Sequence, residues 1–145
     1  MLLPVRPNDK AGWVPADSIK LVPERERLLI DLSSFTLTWY RGGKVADRFR
    51  VGVGAPGFPT ATGTFYVWAT IPQPPGSPYG VYALGLSGFS NVITDWAGGG
   101  RMAIHGTAVA SDQGHRVSHG CVRVFNPNMS KLRHVPLGTP VVIQH

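Results

Sequence analysis

The sequence predicts an all-β fold, a sandwich or barrel-like packing of short strands with one short helix near the C-terminus. Three observations lead there. The 145 residues include 18 glycines and 13 prolines, many of them between short runs, which is turn punctuation rather than helix composition. The runs themselves are rich in Val, Thr and aromatic residues, the types that suit a pleated, half-buried surface. Within several of them apolar residues recur at every second position, the period of a strand with one face in a core. A helical bundle is excluded. Apolar residues make up 43% of the chain and charged residues 15%, against about 25% charged in a typical domain, so a core can form and disorder is excluded. The length suits one domain of ordinary size.

Taken in order, residues 28–32 alternate, and Phe35, Leu37 and Trp39 repeat the pattern before Arg41-Gly42-Gly43-Lys44 offers a tight turn. Phe49, Val51 and Val53 form the return strand. A Gly/Pro/Thr loop follows at residues 54–62, and residues 64–70 are dense in strand formers. Residues 71–80 hold four prolines and two glycines, which predicts an exposed loop unable to pair along a sheet and able to lie over a cleft as a lid. Residues 81–100 are small and Gly-rich and read as a continuation of that covering segment. Arg101-Met102-Ala103-Ile104-His105-Gly106 reads as a buried strand ending at a polar residue. Asn126 as N-cap and Pro127 at the first helical position predict a helix to about His134, with Met129, Leu132 and Val135 on its inner face. Val141-Val142-Ile143 is a terminal strand. No internal repeat is present.

Residues 1–22 differ in character. Leu3-Pro4-Val5-Arg6-Pro7 and Gly12-Trp13-Val14-Pro15-Ala16-Asp17 resemble the last strands of an SH3-like barrel but supply about half its length. The expected organisation is an SH3-like remnant or N-terminal extension at 1–22 and one main domain at 23–145.

The formal net charge of +6 favours an anionic partner such as nucleic acid, anionic lipid or a cell-wall polymer. The basic residues are scattered, with no nucleic-acid-binding motif, so nucleic acid is not expected. No apolar stretch approaches the ~20 residues of a membrane span, and Met1-Leu2-Leu3-Pro4 lacks the regions of a signal peptide. With Cys121 as the one cysteine, no internal disulfide can form. A lone cysteine packs by default as a small hydrophobe, and the neighbours of Cys121 argue for more. His105-Gly106-Thr107, His115 and Ser118-His119-Gly120-Cys121-Val122-Arg123 concentrate three of the five histidines beside it. An imidazole can act as base toward a thiol or, protonated, lower its pKa. Gly120 would let the chain turn sharply and offer N–H groups to an oxyanion. Arg123, two residues on, shares a face with Cys121 if the stretch is extended and could hold a substrate carboxylate. Both His105 and His119 can serve as base. His115, in a polar loop, and His134, at a helix end, are assigned no role. Zinc on His105, His115, His119 and Cys121 is the competing reading. The one-residue gap between His119 and Cys121 is shorter than the two to four usual between paired ligands, so no metal is assigned.

At these residues the chain resembles the YkuD-type L,D-transpeptidases, whose motif is His-Gly followed some 15 residues later by Ser-His-Gly-Cys, an apolar residue and Arg. Leu29-Ile30-Asp31-Leu32-Ser33, Pro59-Thr60-Ala61-Thr62-Gly63-Thr64-Phe65 and Pro136-Leu137-Gly138-Thr139-Pro140-Val141 extend the resemblance over roughly residues 24–144. Ala61 stands where the family has a second proline. The resemblance implies that Cys121 is the nucleophile, His105 its base oriented by the Gly106 carbonyl, and His119 a supporting imidazole. It further implies an oxyanion hole from the N–H groups of His119, Gly120 and Cys121, with Ser118 and Arg123 shaping and anchoring the substrate pocket. The implied reaction is acyl transfer between peptidoglycan stem peptides, donor and acceptor, through a thioester, giving 3-3 cross-links. The same thiol is then expected to react with carbapenems. No cofactor is implied. The implied location is the bacterial cell envelope, with the export signal absent from this chain. A carboxypeptidase or endopeptidase on the same polymer, and a non-catalytic zinc-stabilised wall-binding module, remain the alternatives.

Overall fold

The computed structural model describes residues 1–96 and 98–145. Among them are nine strands and one α-helix: β1 (Glu26–Asp31), β2 (Thr36–Arg41), β3 (Lys44–Gly54), β4 (Gly63–Pro72), β5 (Tyr82–Phe89), β6 (Arg101–Thr107), β7 (Arg116–Ser118), β8 (Val122–Phe125), α1 (Asn126–Leu132) and β9 (Pro140–Gln144). Local chemistry sets the first hairpins. The Asp31 carboxylate accepts from the Ser33 and Ser34 N–H groups at 2.9 and 2.8 Å and from the Ser33 hydroxyl at 2.6 Å, closing the β1–β2 turn. These bonds, the Ser33 hydroxyl foremost, hold the Asp31 carboxyl down to about 2. Gly42 and Gly43 both have positive φ, 57° and 78°, as a two-residue hairpin whose twist matches its strands requires.

The sheet order is β2-β1-β9-β4-β5-β6-β8-β3-β7, and β3 also pairs with β2. Eight strands therefore close into a circuit, with β7 attached at the side. Most neighbours are antiparallel, while β1–β9, β6–β8 and β3–β7 are parallel. The eleven-residue β3 makes closure possible. Its first part pairs with β2, and Val51 and Gly52 pair with β8. Inside lie the alternating positions the sequence marks, Leu28 and Ile30, Leu37, Phe49, Val51 and Val53, together with Met129 and Leu132 of α1. The all-β, barrel-like expectation with one short helix is met.

Three local expectations change. Residues 82–89 are not part of a covering loop but a central strand, β5, paired with β4 and β6. All its residues but Tyr82 are buried, so both faces are covered and no polar–apolar alternation betrays it. Its glycines serve close approach: a Cβ on Gly88 would lie 2.4 Å from the Phe65 ring and 3.0 Å from Met102 Cε. Gly88→Ala is expected to lower stability by roughly 1–3 kcal/mol, measured by the denaturant midpoint. Second, Ile71 and Pro72 belong to β4, opposite Ala83 and Tyr82; Pro72 is tolerated as the last residue of its strand. Third, the helix is capped by Phe125 and ends at Leu132. Asn126 does not cap it: its Oδ1 accepts the Val81 N–H at 3.2 Å.

Residues 1–22 add no strand to the sheet. They contain a Leu2–Ala11 bridge and a 3-10 turn at Ala16–Ser18, and Trp13, Leu21 and Val22 are exposed. No described helix is long and apolar enough to cross a membrane.

Candidate active site

The parallel pairing of β6 with β8 sets Ile104 opposite Val122 and His105 opposite Arg123. Partners across a ladder share a face, and residues two apart along an extended chain do too. The same register carries Cys121, just before β8, onto the face of His105, one diagonal step away. A non-local strand pairing therefore brings together two residues sixteen apart in sequence.

His105 is buried, and its Nδ1 lies 2.8 Å from the Gly106 carbonyl oxygen. A carbonyl can only accept, so Nδ1 carries the proton and Nε2 is left with its lone pair. Burial pushes the imidazole below its ordinary 6.5, the Gly106 carbonyl opposing this and the Arg123 charge adding to it. Cys121 is half-buried. Burial raises its thiol above the ordinary 9.0, while a hydrogen bond from the Ala103 main chain and the charge of Arg123 pull the other way. Among the described residues Sγ makes no hydrogen bond to an imidazole. Burial favours the neutral form of both the Cys121 thiol and the His105 imidazole.

A pH experiment follows. Alkylation of Cys121 by iodoacetamide needs the thiolate, so its rate is expected to climb through and beyond pH 9 without a plateau between pH 5 and 8. A flat, fast region there would mark a thiolate–imidazolium pair instead.

Around this pair the chain is tightly tied. Ser118 is buried; its hydroxyl donates to the Cys121 carbonyl and accepts from the Gly120 N–H at 3.1 Å. Gly120 stands at φ 112°, a conformation that L side chains resist. Its N–H, expected to face an oxyanion, is thus already bonded to Ser118, leaving those of His119 and Cys121 as the turn's donors. Arg123, expected to meet a substrate carboxylate, pairs through Nη1 with Asp112 Oδ2 at 3.1 Å, and its Nε is buried without a partner. Asp112 also accepts from the Thr107 hydroxyl at 3.0 Å.

Cys121 opens into a cleft of about 260 Å³ walled by Ile71, Gln73, Tyr79, Trp96 and Met102 among others. Tyr79, on the Pro-rich loop, meets the His105 ring edge-on at 5.1 Å, so that loop does reach over the site. His119 stands exposed at the mouth between Phe58 at 4.8 Å and Trp96 at 5.3 Å. His115 and His134 are exposed. Among the described residues no group of three or more metal-ligating side chains is gathered. Phe58, Tyr79, Trp96 and Asp112 were not singled out from the sequence. Large aromatics inside Gly/Pro-rich loops, and one of eight acids placed between the two halves of the motif, are the signals that could have found them.

A closed all-β sheet thus opens an apolar cleft over a cysteine, with a tautomer-fixed histidine on the same face. The chain belongs to the YkuD family of L,D-transpeptidase catalytic domains, whose profile matches residues 25–143. It is 30% identical to YkuD of Bacillus subtilis over 149 aligned residues, 98% of this chain and 84% of that one. Among solved structures it is similar to a cysteine-to-serine mutant of the Enterococcus faecium L,D-transpeptidase, with 28% identity and a TM-score of 0.65 over 83% of this chain and 50% of that one. The fold is also that of the L,D-transpeptidase LdtMt1 in complex with imipenem, 21% identical with a TM-score of 0.62 over 82% of this chain and 58% of that one. The chain thus spans between half and three fifths of those two structures.

Proposed function

We propose that residues 23–145 form a peptidoglycan L,D-transpeptidase domain of the bacterial cell envelope that makes 3-3 cross-links through a Cys121 thioester. The observation that carries the reading is the Nδ1–H bond of His105 to Gly106, which frees Nε2 for one task, taking a proton from the nearby thiol. His119 stacks between Phe58 and Trp96 and becomes part of the cleft mouth.

In the donor step Nε2 takes the S–H proton as sulfur attacks the stem carbonyl. The N–H groups of His119 and Cys121 hold the oxyanion. Nε2–H then protonates the departing amine of the terminal D-residue as the C–N bond breaks, leaving a thioester. In the acceptor step an amine of a second stem attacks that carbonyl, gives its proton to Nε2, and the thiolate leaves and is reprotonated. The apolar walls favour this amine over water, which supports transfer ahead of hydrolysis. Arg123, locked to Asp112, acts as a fixed positive charge behind the pair rather than as a free anchor.

Incubation with a purified stem tetrapeptide, with and without a second stem as amine acceptor, tests this by mass spectrometry. A dimer that has lost one terminal residue is expected. Tripeptide alone, whatever the acceptor, would assign a carboxypeptidase. The imipenem complex of a fold relative supports a further expectation, a covalent imipenem adduct on Cys121.

A further inference from the structure

After β5, Trp96 lies against His119 and in the wall of the Cys121 cleft. Gly98, Gly99 and Gly100 follow one another there, all at positive φ, and a run of that kind does not fix its own shape. Internal bonds help, from the Ser90 N–H to Gly100 and from the Gly99 N–H to Trp96, both at 2.8 Å, and from the Val92 and Ile93 N–H groups to the Ser90 hydroxyl at 3.2 and 3.1 Å. Further ties come from the far end of the chain. The Arg6 guanidinium donates to the carbonyls of Ser90 and Ile93 at 2.8 Å each and of Gly99 at 2.6 Å, clasping both limbs of the loop with one planar fork. Its face lies 4.8 Å from the Phe89 ring centroid. Asn8 makes both main-chain bonds to Phe89, donating at 2.8 Å and accepting at 2.9 Å, as an added strand residue would.

We propose that residues 4–8 are a strap, with Arg6 and Asn8 as positioning residues that hold the Trp96 wall of the donor cleft in place. The segment that adds no strand to the sheet thereby sets how well the cleft grips an acyl donor. The functional readout rests on the transpeptidase reading; a second readout does not.

The test compares the wild type with Arg6→Ala, Trp96→Ala and the double variant. Hydrogen exchange of residues 90–100 needs no substrate: Arg6→Ala is expected to speed exchange there and leave the core amides unchanged. Acylation by imipenem is expected to slow by about ten- to a hundredfold in Arg6→Ala, mostly as a higher half-saturating concentration. The double variant is expected to be no slower than Trp96→Ala, because both changes act through one wall. Unchanged exchange in the loop, or losses that multiply in the double variant, would overturn the strap. Should Arg6→Ala fail to fold, Asn8→Ala, which keeps the Arg6 fork, runs the same cycle. A wild-type protein that takes no imipenem would count against the transpeptidase reading, while the exchange result still decides the strap.

Discussion

Cys121→Ala is expected to abolish the imipenem adduct and all transfer to a second stem while leaving the melting temperature close to that of the wild type. The sulfur is half-buried, and the side-chain bond at this residue goes from the Ser118 hydroxyl to its carbonyl oxygen, so its removal leaves that network tied. His105→Gln separates the base from the nucleophile. A glutamine can still donate to the Gly106 carbonyl, yet it has no titrating lone pair for the thiol proton. Acylation at pH 7 is expected to fall by about 10²- to 10⁴-fold. Because the wild-type thiol sits above its ordinary range, the His105→Gln rate should then recover as pH rises and sulfur ionises unaided. His119→Ala is expected to show a smaller loss with the wild-type pH profile. Equal losses from the two histidine variants, with no alkaline recovery in either, would move the base away from His105.

The parts of this site that the sequence makes legible are those written in short-range chemistry. A histidine before glycine, and a cysteine after glycine flanked by histidine and arginine, are visible as residue types. The outer strands are equally plain, because Leu28, Ile30 and Phe49 alternate with neighbours less buried than themselves. What stays hidden follows from long-range pairing. Which imidazole is the base depends on the β6–β8 register and on the carbonyl that fixes the His105 tautomer, and neither has a local signature. β5 is invisible for the opposite reason: with both faces covered, it carries small residues where close approach demands them, and these look like loop composition. The pairing of Arg123 with Asp112, eleven residues earlier, is equally without a local signature.

The same dependence on close approach gives Gly106→Ala an effect on fold and chemistry together. A Cβ at this position would lie 2.4 Å from Asn126 Oδ1, 2.9 Å from the Val81 nitrogen and 3.1 Å from Gly80 Cα. Asn126 cannot swing aside freely, since its Oδ1 accepts the Val81 N–H at 3.2 Å, and that bond ties the base of the Pro-rich loop to α1. The methyl group therefore pushes the loop outward, and Tyr79 moves with it away from the His105 ring. Stability is expected to fall by roughly 1–3 kcal/mol, read from denaturant midpoints. The chemical readouts should move in opposite directions. Imipenem acylation should fall by about tenfold or more as the cleft wall formed by Gln73 and Tyr79 is lost. Alkylation by iodoacetamide, which needs only access to the thiolate, should rise as the thiol is uncovered and its desolvation eases. Adding Asn126→Ala removes the nearest clash and should restore part of the stability but not the acylation rate, because the tether holding Val81 is gone as well. If the single variant instead acylates at the wild-type rate, the loop takes no part in gripping the donor.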